Sequence, residues 1–202
     1  MSTPRFLVPG HTFLVRRVCT QRLGLLGCSP ELSQILEYCL AFAARAAKLR
    51  IHAYCFFPTH YSLVVTDPQA RLPEFTETFH SLVARCLNRH WKRREHFWAQ
   101  GRPDHTLIPE REDILDLCAA VLLEPVQSRM VRSPHAWPCA STLRVASKAI
   151  ARPACFEEGE MPEVVQLRVE SPEVDESREA WAARVRRAVA EEARSARAWA
   201  AG

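Results

Sequence analysis

Two β-rich runs stand almost back to back near the first third of the chain, residues 51–57 (IHAYCFF) and 61–66 (YSLVVT). Pro58 stops the first, and Asp67-Pro68 stops the second. So few residues lie between them that they must pair as an antiparallel hairpin. An amphipathic stretch flanks the hairpin on each side. Upstream, Leu32, Ile35, Leu36, Cys39, Leu40, Ala43 and Ala47 recur at three and four and predict a helix to about Leu49. Ser29 supplies its N-cap, Pro30 its first position and Glu31 its first-turn negative charge. Downstream, Phe75, Phe79, Leu82, Val83, Cys86 and Leu87 form the inner face of a helix over residues 72–94. A strand over 13–20 precedes this set. After a Gly101-Arg102-Pro103 break a short strand over 105–108 follows it, and Pro109 opens a third helix over about 110–123. The order β-α-β-β-α-β is the split βαβ, ferredoxin-like unit: an α+β fold with an antiparallel sheet and helices on one face. Many activities share that fold, so the order alone assigns none.

The sequence changes character beyond residue 150. Residues 157–179 hold nine Asp or Glu against two Arg. This divides the chain into a domain over 1–150, an acidic, proline-containing linker or exposed strand pair over 151–176, and an amphipathic C-terminal helix over 177–202. Residues 164–170 (VVQLRVE) are the strand candidate. The terminal helix carries Trp181, Val185, Val189 and Trp199 and is expected to dock on the main domain. A coiled coil would need about three or four apolar heptads, and barely one is present.

Composition sets outer bounds. With 202 residues, 48% of them hydrophobic, the chain can bury one core and is not globally disordered. The net charge of +4 is compatible with an anionic partner and decides nothing. Eight cysteines at 19, 28, 39, 55, 86, 118, 139 and 155 form no CxxC motif. They are expected as small buried hydrophobes in a reducing cytoplasm, with a zinc site built from distant Cys and His as the alternative. No leader is visible, and no apolar run approaches the ~18 residues of a membrane span.

Residues 52–65 (HAYCFFPTHYSLVV) resemble the hairpin of the HUH single-tyrosine transposases, the bacterial superfamily that includes the REP-associated tyrosine transposases. Leu122-Leu123-Glu124-Pro125-Val126 with Met130-Val131 resembles the family's "YIxxNPVrAGLV" stretch. Trp137 stands at its tryptophan, and Gly10-His11-Thr12-Phe13 matches its first strand. The tail resembles that of a longer transposase subfamily, of which this chain would be a truncated member. The resemblance implies cleavage of single-stranded DNA by a tyrosine, assisted by Mg or Mn on two histidines one residue apart. Here the pair reads His60-Tyr61-Ser62, so His60 is a remnant ligand and Ser62 replaces the second. The nucleophile's position falls at Val83 or Ala84, and the chain's tyrosines are Tyr38, Tyr54 and Tyr61. No catalytic residue and no cofactor are therefore expected. His80, His90 and His96 have no spacing that argues for substitute chemistry. Glu124, where the family has asparagine, looks poorly suited to a phosphate-binding groove.

What remains is a candidate binding surface. Arg85, Arg89, Lys92, Arg93, Arg94 and Arg102 stand against Glu95 alone, interleaved with His90, Trp91, Phe97 and Trp98. Cations for phosphates and rings for bases are what a single-strand binder needs. Arg16 and Arg17 are expected to extend the patch. The expected partner is single-stranded or hairpin DNA, with homodimer and monomer both open and no membrane. The alternatives are a metal-dependent nicking enzyme with a substitute nucleophile, and a protein-interaction domain that binds no DNA.

Overall fold

The computed structural model describes residues 8–110, 113–144, 147–157, 159, 161–173 and 175–201. Its first sheet is built from β1 (His11–Val18), β2 (Arg50–Phe56), β3 (His60–Asp67) and β4 (Asp104–Ile108), in the spatial order β2-β3-β1-β4. Every neighbouring pair is antiparallel. Helix α1 (Pro30–Ala47) joins β1 to β2, and α2 (Leu72–His90) joins β3 to β4, giving the expected ferredoxin-like order. The Ser29 hydroxyl caps α1 by accepting the Leu32 amide at 3.2 Å, with Pro30 in the first turn. Helix α2 ends four residues earlier than expected. Lys92 takes a left-handed conformation (φ 52°) that continues no helix, and the Arg93 amide turns back to the Asn88 carbonyl at 2.8 Å.

The two helices of the β-α-β-β-α-β unit lie on one face of the sheet, as expected, and a third helix is added on the other. Helices α1 and α2 cover one face, where the rings of Tyr54, Phe56, Tyr61 and Phe79 meet at centroid distances of 5.4–6.3 Å. Helix α3 (Asp113–Gln127) lies against the other face, over β2 and β3. The reason is in the strands themselves. β2 and β3 are buried at nearly every position, not at alternate ones, and a strand buried on both sides needs cover on both. Residues 111 and 112, in the expected first turn of α3, lie outside the described residues.

The C-terminal region packs on this core. β5 (Ser147–Ala151) and β6 (Val164–Arg168) form a hairpin that lies along α1, so residues 151–176 include half of a strand pair. Helix α4 (Arg178–Ala201) docks on α3 through Trp181, Val185 and Val189, all buried. Trp199 lies outside the described side chains. The open edge of β2 is covered as well. The Phe56 amide donates to the Ala140 carbonyl (2.9 Å), while the indoles of Trp137 and Trp181 donate to the carbonyls of Phe56 (3.0 Å) and His52 (3.2 Å).

The cysteines divide. Cys19, Cys39, Cys55 and Cys118 are free and buried, as expected of small hydrophobes. Cys28 is bonded to Cys139 and Cys86 to Cys155, with Cα atoms 4.2 and 5.4 Å apart, contrary to an all-reduced set. The partners are 111 and 69 residues apart in sequence, so no local motif announces them. Among the described residues no group of three or more His, Cys, Asp or Glu is placed to hold a metal, and no helix is long and apolar enough to cross a membrane.

Candidate functional site

Because side chains alternate along a strand, His60 and Ser62 leave β3 on the α3 face and Tyr61 leaves on the other. Register then places Arg16 of β1 opposite Ser62. Glu124, in the last turn of α3, drops its carboxylate onto this trio. His60 Nε2 lies 3.0 Å from Oε1, and the Ser62 hydroxyl donates to Oε2 at 2.9 Å. The Arg16 Nε donates to Ser62 Oγ at 3.1 Å, and its guanidinium reaches Oε2 at 3.7 Å. Thr59 bonds the far ring nitrogen of His60 (3.1 Å), and the Phe57 ring stacks on the imidazole at 4.4 Å. Burial pushes the Glu124 carboxyl up. The hydrogen bonds from His60 and Ser62 and the charges of His60 and Arg16 outweigh that and hold it below the usual carboxylate range. Glu124 is thus well accommodated among these donors.

These residues do not fit a resident Mg or Mn. A guanidinium stands where a cation would have to approach, Ser62 offers a neutral oxygen, and the carboxylate is already held by donors.

The opposite face holds a second polar cluster. Arg17 Nη1 lies 2.8 Å from His80 Nδ1, and the Tyr61 hydroxyl lies 2.6 Å from His80 Nε2. Arg17 can only donate, so His80 Nδ1 accepts and its Nε2–H donates to the Tyr61 oxygen. Burial first, then the charge of Arg17, pushes His80 down to about 2, which keeps the ring neutral. Burial raises all three tyrosine hydroxyls. Each is also bound: Tyr38 to the Pro162 carbonyl, Tyr54 to Glu37, and Tyr61 to His80.

The positions that the resemblance implied for a nucleophile do not meet His60 and Ser62 in this fold. Val83 and Ala84 are on α2, across the sheet from His60 and Ser62. The helix that faces those residues is α3, where Ala120 sits one turn before Glu124 on the same side. None of these three positions is a tyrosine.

The basic stretch is divided by its surroundings. Phe97 and Trp98 are core residues, Trp98 with its indole donating to the His80 carbonyl at 3.0 Å, so neither is a free platform for a base. Trp91 is 40% exposed, its edge tied to the Leu25 carbonyl at 2.7 Å. Arg89, Lys92, Arg94 and Arg102 are exposed. Arg93 pairs with Glu95 at 3.4 Å, and Arg85 lies over the Phe156 ring at 5.3 Å. Arg17, His96 and Arg102 border a cleft of about 480 Å³ alongside α2. Arg17 therefore adjoins the stretch, whereas Arg16 points to the other face of the sheet and cannot extend it.

The sequence matches no family model and no curated protein. Among solved structures it is similar to a REP-associated tyrosine transposase bound to a REP hairpin. The TM-score is 0.59 and the identity 18%, over 71% of this chain and 83% of that one. The chain has the fold of that transposase. A second similar structure, described as that of a transposase candidate from Deinococcus radiodurans, gives a TM-score of 0.42 at 17% identity, over 69% of this chain and all of that one. On this fold, Ser62 follows His60 at the spacing of the hairpin motif, and the three tyrosines are buried and hydrogen-bonded.

Proposed function

We propose that the protein is a transposase-like DNA-binding protein that holds single-stranded or hairpin DNA without cutting it. The observation that carries this reading is the closure of the face under α3. Glu124, His60, Ser62 and Arg16 satisfy one another there, leaving among the described residues neither a cation site nor a tyrosine beside it. Binding is assigned to the end of α2, where Arg89, Lys92 and Arg94 are exposed around a half-open Trp91, with Arg102 beyond them. Phosphates are neutralised by such cations, and an exposed indole offers one surface on which a base can stack. A hairpin-bound relative in fold makes hairpin DNA the first ligand to try. No resident cation is needed, and the protein is proposed to work in the cytoplasm.

An electrophoretic titration with single-stranded, hairpin and duplex DNA, with and without Mn, tests the reading. Single-stranded or hairpin DNA should be retarded equally with and without Mn, and no covalent protein–DNA species should survive denaturation. A covalent adduct would restore the nicking enzyme, and no retardation at low salt would favour a protein-interaction domain.

A further inference from the structure

The Cys86–Cys155 bond ties the loop after β5 to α2, and it forms part of the wall of a cleft of about 320 Å³ between the start of α1, the end of α2 and that loop. Arg89 and His90 of α2 and Arg152 of the loop line the same cleft, with Glu31 3.5 Å from the His90 ring. The two residues differ in exposure: Cys86 is 1% exposed, while Cys155 is only partly buried. A disulfide that lines a cleft beside two arginines, with the more exposed of its two residues on a loop, is a particular chemical situation. Thiolates attack the accessible sulfur of a disulfide, and nearby positive charge both attracts an anionic thiol and favours the departing thiolate. Arg89 stands one helical turn after Cys86, where it can stabilise that departing charge.

We propose that Cys155 is a site of thiol–disulfide exchange with an anionic low-molecular-weight thiol of the glutathione class. The incoming thiolate forms an S–S bond to Cys155 Sγ as the Cys86–Cys155 bond breaks. Cys86 leaves as a thiolate and takes a proton from water. One disulfide is exchanged for one mixed disulfide, so no further oxidant or reductant enters. The carboxylates of the bound thiol are placed to meet Arg89 and Arg152. Exchange unties the loop whose Phe156 ring lies under Arg85 at 5.3 Å, so the release reaches the cationic side of α2. The reaction itself requires no DNA.

The test uses the full-length oxidised protein and reduced glutathione, with an acid quench, maleimide trapping of free thiols and peptide mass mapping. Glutathione is expected on Cys155 and maleimide on Cys86. Replacing Arg89→Gln together with Arg152→Gln should slow the exchange with glutathione roughly 3- to 10-fold, yet change the rate with neutral 2-mercaptoethanol, and the rate at Cys28–Cys139, by less than about twofold. Glutathione found on Cys86, an equal slowing with both thiols, or no adduct on either cysteine would overturn the proposal.

Discussion

Three side chains from two strands, Arg16, His60 and Ser62, converge on the Glu124 carboxylate, and removing it leaves all three facing an empty position in a half-buried site. Glu124→Ala is expected to lower stability by about 2 kcal/mol at neutral pH, read by chemical denaturation. Because its pKa is depressed in the fold, the carboxylate contributes stability that is fully present above its ordinary value. That contribution is lost as pH falls through the lowered one. The Tm advantage over Glu124→Gln should therefore shrink on acidification below the ordinary carboxylate range, and a constant gap there would contradict the assignment. The two tryptophans of the basic stretch separate at the same scale. Trp98, 8% exposed and packed on Tyr61, His80 and Phe97, should cost about 3–5 kcal/mol of stability when truncated to alanine. Trp91→Ala should cost less than about 2 kcal/mol of stability and weaken single-stranded DNA binding by ~1–3 kcal/mol, measured by fluorescence anisotropy.

The element that faces a strand decides which chemistry can be built there, and this is where sequence and structure part. The hairpin, its pairing, the Ser29 cap and the alternation that separates Tyr61 from His60 and Ser62 were all legible, because each depends on residues close in sequence. The side of the sheet taken by α3 was legible in principle, since residues 51–57 and 61–66 are apolar at too many consecutive positions for a sheet wet on one face. What no local pattern reveals is long-range pairing: Glu124 with His60, 64 residues apart, or Cys28 with Cys139. The resemblance pointed to α2 for the nucleophile, while the helix that packs over β3 on the His60 side is α3. A variant combining Ser62→His, Glu124→Asn and Ala120→Tyr is expected to form a covalent adduct with single-stranded DNA in Mn. The same variant with Val83→Tyr in place of Ala120→Tyr should form none, and it should lose about 1–3 kcal/mol of stability by overpacking the core. Denaturing electrophoresis of labelled DNA distinguishes the two, and an adduct from the Val83 variant would return the site to α2.

Across the whole molecule 27 basic residues oppose 23 acidic ones, so the net charge of +4 gives little general pull on DNA, and any binding must come from where cations are left exposed. Much of the charge is already spoken for: Arg16 on Glu124, Arg50 and Arg178 on Glu170, Arg93 on Glu95, and Arg184 on Glu173 and Glu176. Arg89, Lys92, Arg94 and Arg102 remain exposed near the end of α2. Each phosphate neutralised on a single strand releases condensed counterions, so four such contacts give a log–log salt slope of roughly −3. Replacing Lys92, Arg93 and Arg94 together by alanine removes two of the four and one cation already paired with Glu95. The slope should flatten to roughly −1.5. Folding stability should move by less than about 2 kcal/mol, since Lys92 and Arg94 are exposed and only Arg93, paired with Glu95, is substantially covered. Affinity would fall at low salt and converge on that of the parent at high salt, where the electrostatic contribution has been screened from both. A triple variant that kept the parent's slope would place the DNA contacts away from α2, and the cleft bordered by Arg17 and Arg102 would be the next surface to alter.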